Sequence, residues 1–460
     1  MKPRAEDTIA AIATPLGTGG IGIVRVSGPD AVAIVNTLFR PRRGGALARA
    51  ASHKLVYGWI ERDGEPVDEV LAVAMRAPHS YTREDVVEVH CHGGMLATRT
   101  VLEMACRQGA RLAAPGEFTQ RAFLNGRLDL TQAEAAADVI RARSELGLRV
   151  SAQQLRGRLY AEIQALRDEI AHVAALVAAG IDFPEEDVVF AHRADIERRL
   201  ASARTRLGAL LETAGRGRVL REGLAVAIVG KPNVGKSSLL NALLRESRAI
   251  VTDTPGTTRD TLEESVELGG LALRLIDTAG IRATNDAIER EGIARSRRAV
   301  ELADLALIVM DGSAPLDAAD REVLSLAAPE RALAVINKRD RMAGDDPAWA
   351  GELMGLPRLP LSALTGAGLP GLEAWVRQWA LRDERPVLEH ALITNLRQEQ
   401  AARAAHEAVV AAEATLAAGQ GEELLAVDLT RALDALGDIV GETTSDDLLN
   451  RIFAEFCIGK

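Results

Sequence analysis

The spacing of apolar positions divides the chain into stretches of different period. Up to about residue 120, short apolar runs such as Gly20–Val26, Val70–Met75 and Val86–His90 suit strands. They are set off by the turn-forming clusters GTGG, GPD, RRGG, RDGEP and HGG, and Met95–Gln108 reads as a helix. From about 120 to 220 the period lengthens to that of a helix, as in Leu155, Leu159, Ile163, Leu166 and Ile170. That spacing, in sequence rich in Ala, Leu, Arg and Glu, predicts long amphipathic helices, broken at Asp182-Phe183-Pro184. Between Leu224 and about Leu381, strands alternate with glycine loops and helices, the signature of a doubly wound α/β domain. Beyond about 390 the helical texture returns in Ala401–Ala418 and Val427–Val440. Texture alone is compatible with one helical domain interrupted by an α/β insertion and equally with two separate helical regions.

Composition narrows the class. A chain of 460 residues exceeds a single core, and at roughly 150 residues per domain about three domains are expected. A hydrophobic fraction of 47% excludes a disordered chain. No apolar run reaches the roughly 18 residues of a membrane-spanning helix, so no membrane partner is expected. The opening MKPRAEDTIAAIATP lacks an apolar core followed by a cleavage site and does not read as a signal peptide. The cysteines are Cys91, Cys106 and Cys457, an odd set without a CxxC pair, which argues against a disulfide framework and for the cytoplasm. The net charge of -10 argues against a protein that coats nucleic acid, while leaving room for a local basic patch. Only Lys2, Lys54, Lys231, Lys236, Lys338 and Lys460 are lysines among the 55 basic residues. In so arginine-rich a chain, the remaining lysines are candidates for work that suits a compact point charge, such as contact with phosphate. Chance retention suffices for Lys2 and Lys54.

The candidate chemistry begins at residue 224. The apolar run LAVAIVG, a buried parallel strand by its composition, leads into Gly230-Lys231-Pro232-Asn233-Val234-Gly235-Lys236-Ser237-Ser238 and then a helix, SLLNALLRE. This is GxxxxGKS in strand–loop–helix context. The glycines let backbone N–H groups face phosphate oxygens, and the helix N-terminus adds its dipole. Lys236 is placed to neutralise the β- and γ-phosphates and Ser237 to offer its hydroxyl to Mg²⁺. Thr252-Asp253-Thr254-Pro255-Gly256-Thr257-Thr258-Arg259-Asp260 supplies a threonine for Mg²⁺ when γ-phosphate is present. Asp277-Thr278-Ala279-Gly280 follows the strand LALRLI, with an Asp for water-mediated Mg²⁺ contact and a Gly N–H for the γ-phosphate. Asn337-Lys338-Arg339-Asp340 follows the strand ALAVI, and the Asp340 carboxylate can accept both guanine N1–H and N2–H₂, which adenine does not offer together. Ser362-Ala363-Leu364 completes the set on a loop. In this order and spacing, the motifs resemble those of translation-factor-like GTPases and specify GTP over ATP.

Ras-like enzymes place a water-orienting Gln directly after DxxG. Here that position is Ile281, which cannot polarise water. Either hydrolysis is very slow or another group acts. The nearby acids are Asp286, Glu289 and Glu291, any of which is by itself compatible with a solvated helix face.

Across essentially its whole length the chain resembles the MnmE/TrmE family of tRNA modification GTPases. The resemblance is carried by the GTPase motifs and by IAAIATP from Ile9, GGIGIVRVSG from Gly19, YTRED from Tyr81, PGEFT from Pro115, RAFLNG from Arg121 and the ending Phe456-Cys457-Ile458-Gly459-Lys460. It implies a multidomain α/β plus all-α fold. Residues 1–120 would form a tetrahydrofolate-binding and dimerisation domain, 121–220 and 383–460 a discontinuous helical domain, and 221–382 an inserted Ras-like P-loop GTPase domain. It also implies a homodimer and an assembly, heterotetrameric or larger, with the FAD-containing MnmG (GidA) protein. Together these would add an aminomethyl or carboxymethylaminomethyl group to C5 of the wobble uridine, position 34, of certain tRNAs. The one-carbon unit would come from 5-formyl- or 5,10-methylene-tetrahydrofolate. Carried over by position, the folate contacts fall on Arg25, Glu88, Arg127 and Lys460, and Mg²⁺ falls on Ser237 and Thr258. A K⁺ site falls on Asn233, Thr252, Thr254 (through its carbonyl) and Thr257, and the catalytic acid on Glu289. K⁺ beside the β/γ bridge would do the work of an arginine finger, worth about 10³–10⁵ in rate, and leaves Arg259 as the alternative.

Three further features carry competing readings. His90 and His92 share one strand face with Cys91 on the other, which suits a strand-ending turn near the folate pocket better than a metal site. Cys457 resembles a prenylation box badly; in a folate pocket it is a nucleophile, a redox partner or a thiol packed for shape. The arginines of 141–158 suit tRNA phosphates or a solvated helix face. The rival function is a GTP-controlled ribosome-assembly switch similar to Era or Der, which has no use for the folate-like domain or the CIGK ending.

Overall fold

The computed structural model describes residues 7–182, 188–246, 264–276, 289–342, 344, 346–353, 355–381 and 390–460; the side chains of 188–191, 246, 264 and 289–293 also stand outside the description. By contacts the chain forms two compact units. One comprises 1–137, 155–175 and 429–460, the other 138–154 and 176–428.

The first unit is built on a seven-stranded sheet. Its strands are β1 (Ile9–Ile12), β2 (Ile21–Ser27), β3 (Phe39–Pro41), β4 (Leu55–Arg62), β5 (Glu65–Met75), β6 (Val86–His92) and β7 (Arg111–Leu112), in the order β3-β4-β5-β6-β2-β1-β7. All pairings are antiparallel except β1 with β7. Helices Ala31–Leu38 and Met95–Arg107 bury Ile34, Val35, Val101 and Met104 with Val24, Val26, Val87 and Val89 of the strands. Burial of each such side chain is worth about 1.5–3 kcal/mol. The chain's last segment belongs to this unit. Phe453 and Phe456 of the segment around helix Asp446–Ala454 pack with Leu130, Ala133 and Phe123. This aromatic cluster brings the terminal residues to the N-terminal sheet.

The second unit contains a six-stranded sheet of β8 (Leu224–Val229), β9 (Glu264–Leu268), β10 (Leu271–Ile276), β11 (Leu305–Asp311), β12 (Ala332–Asn337) and β13 (Arg358–Pro360). The order β13-β12-β11-β8-β10-β9 is parallel except for β9. β8 and β12 are buried at every position, as the unbroken apolar runs require. Beside this sheet, helices Val188–Glu212 and Leu396–Ala417 pack lengthwise, burying Ile196, Leu200, Ala203 and Leu207 on one and Ala402, Ala405, Val409 and Ala412 on the other.

The predicted stripe from Leu155 to Ile170 is divided. One helix ends at Leu155 and the next, Arg158–Asp182, carries the buried line Leu159, Ile163, Leu166, Ile170. The expected break after Asp182 coincides with the end of that helix; Phe183 and Pro184 lie outside the described residues.

Candidate nucleotide and tail sites

β8 delivers the phosphate loop and helix Lys236–Glu246 leaves it, so the first amides of that helix open onto the loop. Gly235 holds φ +98, and a Cβ there would lie 2.2 Å from Asn337 Nδ2. Only glycine lets the loop pass so close to the end of β12. Lys236 Nζ donates to the carbonyls of Gly230 and Lys231, both at 2.8 Å, and burial pushes its pKa below the usual lysine value. Val234 is buried in the core while Asn233, Ser237 and Ser238 face solvent, Asn233 in the left-handed region at φ +64. The loop thus points small polar groups outward from an apolar anchor.

On the base side, Asn337 is 3% exposed and bridges two loops. Its Nδ2 donates to the Val234 carbonyl at 2.8 Å, and its Oδ1 accepts from Ala363 N at 3.0 Å. Ser362 Oγ donates to Asp340 Oδ1 at 2.5 Å, fixing the orientation of that carboxylate. Leu364, 80% exposed, stands at the rim.

Two of the lysines singled out by their scarcity hold acids of the protein. Lys338 Nζ donates to Asp311 Oδ2 at 2.6 Å; burial alone would raise the Asp311 carboxyl, but this bond leaves it below its usual range. Lys231 Nζ donates to Asp317 at 2.8 Å and Asp320 at 2.6 Å. Those two acids also form the capping box of helix Ala318–Leu324, and the Lys231 bond takes Asp317 down to about 2. The segment from Asp311 to Asp320 matches no nucleotide motif, so sequence reasoning missed it; its spaced acids were the available signal.

Thr252, Asp253, Thr254, Pro255, Gly256, Thr257, Thr258, Arg259, Asp277, Thr278, Ala279, Gly280, Ile281 and Asp286 lie outside the described residues. Glu289 is the first residue of helix Glu289–Leu302, and its side chain stands outside the description.

The first unit contains a second site. Arg25 and Glu88 face each other across β2 and β6, and Arg25 Nε donates to Glu88 Oε1 at 2.8 Å. Arg25 Nη1 reaches the carbonyl of Gly459 at 3.2 Å. The guanidinium lies between the rings of Tyr81 and Phe118, at 5.5 and 5.6 Å, and Arg127 lies 4.7 Å from the Tyr81 centroid. Gly459 holds φ +93 with its Cα against β1; a Cβ would meet the Ile12 carbonyl at 2.3 Å. Half-buried Lys460 is pushed below the usual lysine value by burial and by Arg25, against the pull of Glu88. Arg25, Glu88, Arg127 and Lys460 are thereby brought together. Three cations, one carboxylate and two aromatic rings suit a flat ligand that carries negative charge. Tyr81 and Phe118 were legible only as members of the YTRED and PGEFT motifs.

Behind this site Arg121, 2% exposed, bonds Asp7, Glu84 and Glu117. Glu84 in turn accepts from Ser27 Oγ at 2.7 Å. Cys457 is exposed, and its carbonyl accepts from Gly116 N at 3.4 Å. In the HCH run, Cys91 is buried and its thiol is pushed up to about 12 by burial and Asp68, while His92 pairs with Asp68 at 2.6 Å. In the 141–158 stretch, Arg149 pairs with Glu145 at 2.7 Å and Arg143 donates to Ser265 Oγ at 2.9 Å.

Comparison with known proteins agrees over the full length. The model of the GTP-binding protein TrmE N-terminus matches residues 8–127, and that of the MnmE helical domain matches 130–457. The tRNA modification GTPase MnmE of Geobacter metallireducens is 49% identical over 99% of this chain and 99% of its own. That of Symbiobacterium thermophilum is 49% identical over 99% of this chain and 100% of its own. Among solved structures, the G domain of the T. maritima FeoB iron transporter covers 34% of this chain and 98% of its own at 26% identity. Its TM-score is 0.25. No described helix is long and apolar enough to cross a membrane. With an N-terminal TrmE domain, a helical domain and a Ras-like GTPase domain in one chain, this protein belongs to the MnmE family of tRNA modification GTPases.

Proposed function

We propose that the chain is the GTP-hydrolysing component of a cytoplasmic complex with MnmG that installs an aminomethyl or carboxymethylaminomethyl group at C5 of uridine 34 in certain tRNAs. The domains of this reading are 1–120 for folate and dimerisation, 121–220 with 383–460 as the helical domain, and 221–382 for GTP. In the GTPase domain, Lys236 exchanges its two carbonyl partners for phosphate oxygens, and the helix amides after Gly235 receive the remaining charge. Asp340, held by Ser362, reads guanine. Asn337 keeps the base loop and the phosphate loop in register.

The exposed oxygens of Asn233 and Ser237 fit cations beside the phosphates, with Thr252, Thr254 and Thr257 completing a K⁺ set and Thr258 the Mg²⁺ set. When bound, Mg²⁺ and K⁺ supply positive charge against the phosphate oxygens. Glu289 takes the place of the missing glutamine and positions the attacking water. A homodimer brings two GTPase domains face to face.

The observation that carries the folate half of this reading is the bond from Arg25 to the Gly459 carbonyl, beside Glu88, Arg127 and half-buried Lys460. The cation-rich, aromatic-walled cluster supports a tetrahydrofolate with its pterin ring and glutamate carboxylates. A chain lacking residues 457–460 is expected to lose 5-formyl-tetrahydrofolate binding in a calorimetric titration while hydrolysing GTP at nearly the full rate. Unchanged folate affinity in that variant would remove the tail from the site.

A further inference from the structure

Between Asp30 and Glu61 the chain carries no acidic residue, yet it holds Arg40, Arg42, Arg43, Arg49 and Lys54. In a protein of net charge -10 such a segment is a concentrated positive field. The fold gathers it at one edge of the N-terminal sheet. β3 is the edge strand, and the loop after it returns through β4. Arg42, Arg43, Arg49 and Lys54 line a concavity of ≈ 620 Å³ whose lining includes Tyr57 and no carboxylate. Arg43, Arg49 and Lys54 are exposed and join no ion pair among the described residues. Acids adjoin the cluster at its margins: Glu61, 3.5 Å from Arg40; Glu69, which accepts from the Tyr57 hydroxyl; and Asp85, paired with the Arg76 that donates to the Ala48 carbonyl.

The same edge carries aromatic surface. Leu55, Tyr57 and Trp59 alternate on one face of β4 and are 49%, 38% and 37% exposed. Trp59 pairs in register with Arg40. Arg42 stacks on Tyr57 at 5.5 Å and donates to its hydroxyl at 3.0 Å. Cations that follow a phosphate backbone beside rings that stack on splayed bases are the combination that recognises single-stranded RNA. In the arginine-rich 141–158 stretch, by contrast, Arg149 and Arg143 are already engaged within the protein.

We infer that the Arg40–Trp59 edge of the N-terminal sheet is an RNA-binding surface that holds a single-stranded loop of the tRNA substrate. Arg43, Arg49 and Lys54 contact phosphates; Tyr57 and Trp59 stack on bases. The inference rests on the tRNA-modification reading but is measured apart from it, with purified full-length chain and a synthetic tRNA anticodon stem-loop in fluorescence anisotropy across a KCl series. Arg43→Ala/Arg49→Ala/Lys54→Ala is expected to weaken binding at least tenfold. It should also lower the slope of log K against log[salt] by about 2, since each single-strand phosphate contact contributes about 0.7. Trp59→Ala is expected to weaken binding of the stem-loop without changing the slope, and to leave a loop-free duplex unaffected. GTP turnover without RNA stays at the wild-type rate in both variants.

Unchanged affinity and slope in the triple variant overturns the inference. So does an affinity loss that only tracks a change of oligomeric mass by light scattering, which would make this edge an interface between copies. Binding of the surface to phosphatidylserine vesicles but not to RNA overturns it as well. Failure here leaves nucleoside analysis of the modified tRNA untouched, so the two readings stand or fall separately.

Discussion

Asn337 donates to the Val234 carbonyl at 2.8 Å, so the Asn337–Asp340 loop and the Gly230–Ser237 loop share a direct bond. The same side chain, on a residue only 3% exposed, accepts from Ala363 N at 3.0 Å. Without these two neutral hydrogen bonds, at about 0.5–1.5 kcal/mol each, a nucleotide has to restore the order they give the two loops, a cost of up to about 5- to 150-fold in affinity. Asn337→Ala is expected to weaken GTP and GDP alike within that range, by titration with a fluorescent analogue. Loss confined to GTP would show that Asn337 serves the γ-phosphate instead.

Asp340→Asn is expected to weaken GTP and narrow the preference for guanine over adenine, because an amide cannot accept from both N1–H and N2–H₂. Competition of GTP and ATP for the variant reads this directly. Lys236→Ala is expected to abolish measurable nucleotide binding, since the described phosphate loop has no other cation aimed into it: Lys231 is held by Asp317 and Asp320.

Acid should weaken the first unit through Glu117. Burial raises that carboxyl, but hydrogen bonds from Arg111, the Ala114 N–H and Arg121 outweigh it and leave the group below its usual range. A folded pKa below the unfolded one gives stability that is complete above about pH 4.5 and fades as pH falls through the folded value. Glu117→Gln is expected to cost about 1–3 kcal/mol at pH 7, with the gap from wild type closing toward pH 3 in urea unfolding. A gap that stays constant with pH would contradict the ionic origin.

Asn233 is exposed and left-handed at the phosphate loop, and Ile281 cannot orient water. GTP turnover is expected to be fast in KCl and slow in NaCl at matched ionic strength. Asn233→Ala should lose that difference, and Glu289→Ala should lose most turnover with GTP affinity intact. Equal rates in the two salts would favour Arg259 as the finger.

The nucleotide site was legible because its backbone tasks leave fixed marks. A buried strand reads as LAVAIV, and Gly235 marks a loop position where a side chain would strike Asn337. The supporting contacts were not legible, because they join residues far apart in sequence. Nothing local announces that Lys231 meets Asp320, or that Arg25 meets Gly459. β4 was missed for a different reason: Tyr57 and Trp59 are apolar on the solvent side, so the alternation of inward and outward positions is erased. Helix Ala31–Leu38 was missed because eight residues span too few turns for its period to stand out.

Modification of the wobble uridine is the role proposed for this chain. Mass-spectrometric nucleoside analysis of tRNA from cells lacking the gene, complemented with the intact chain or with Lys236→Ala, tests it most directly. The expected result is an unmodified C5 at uridine 34 without the gene and with the variant, and restoration of the aminomethyl-type group by the intact chain. Full modification in the cells that lack the gene would contradict it.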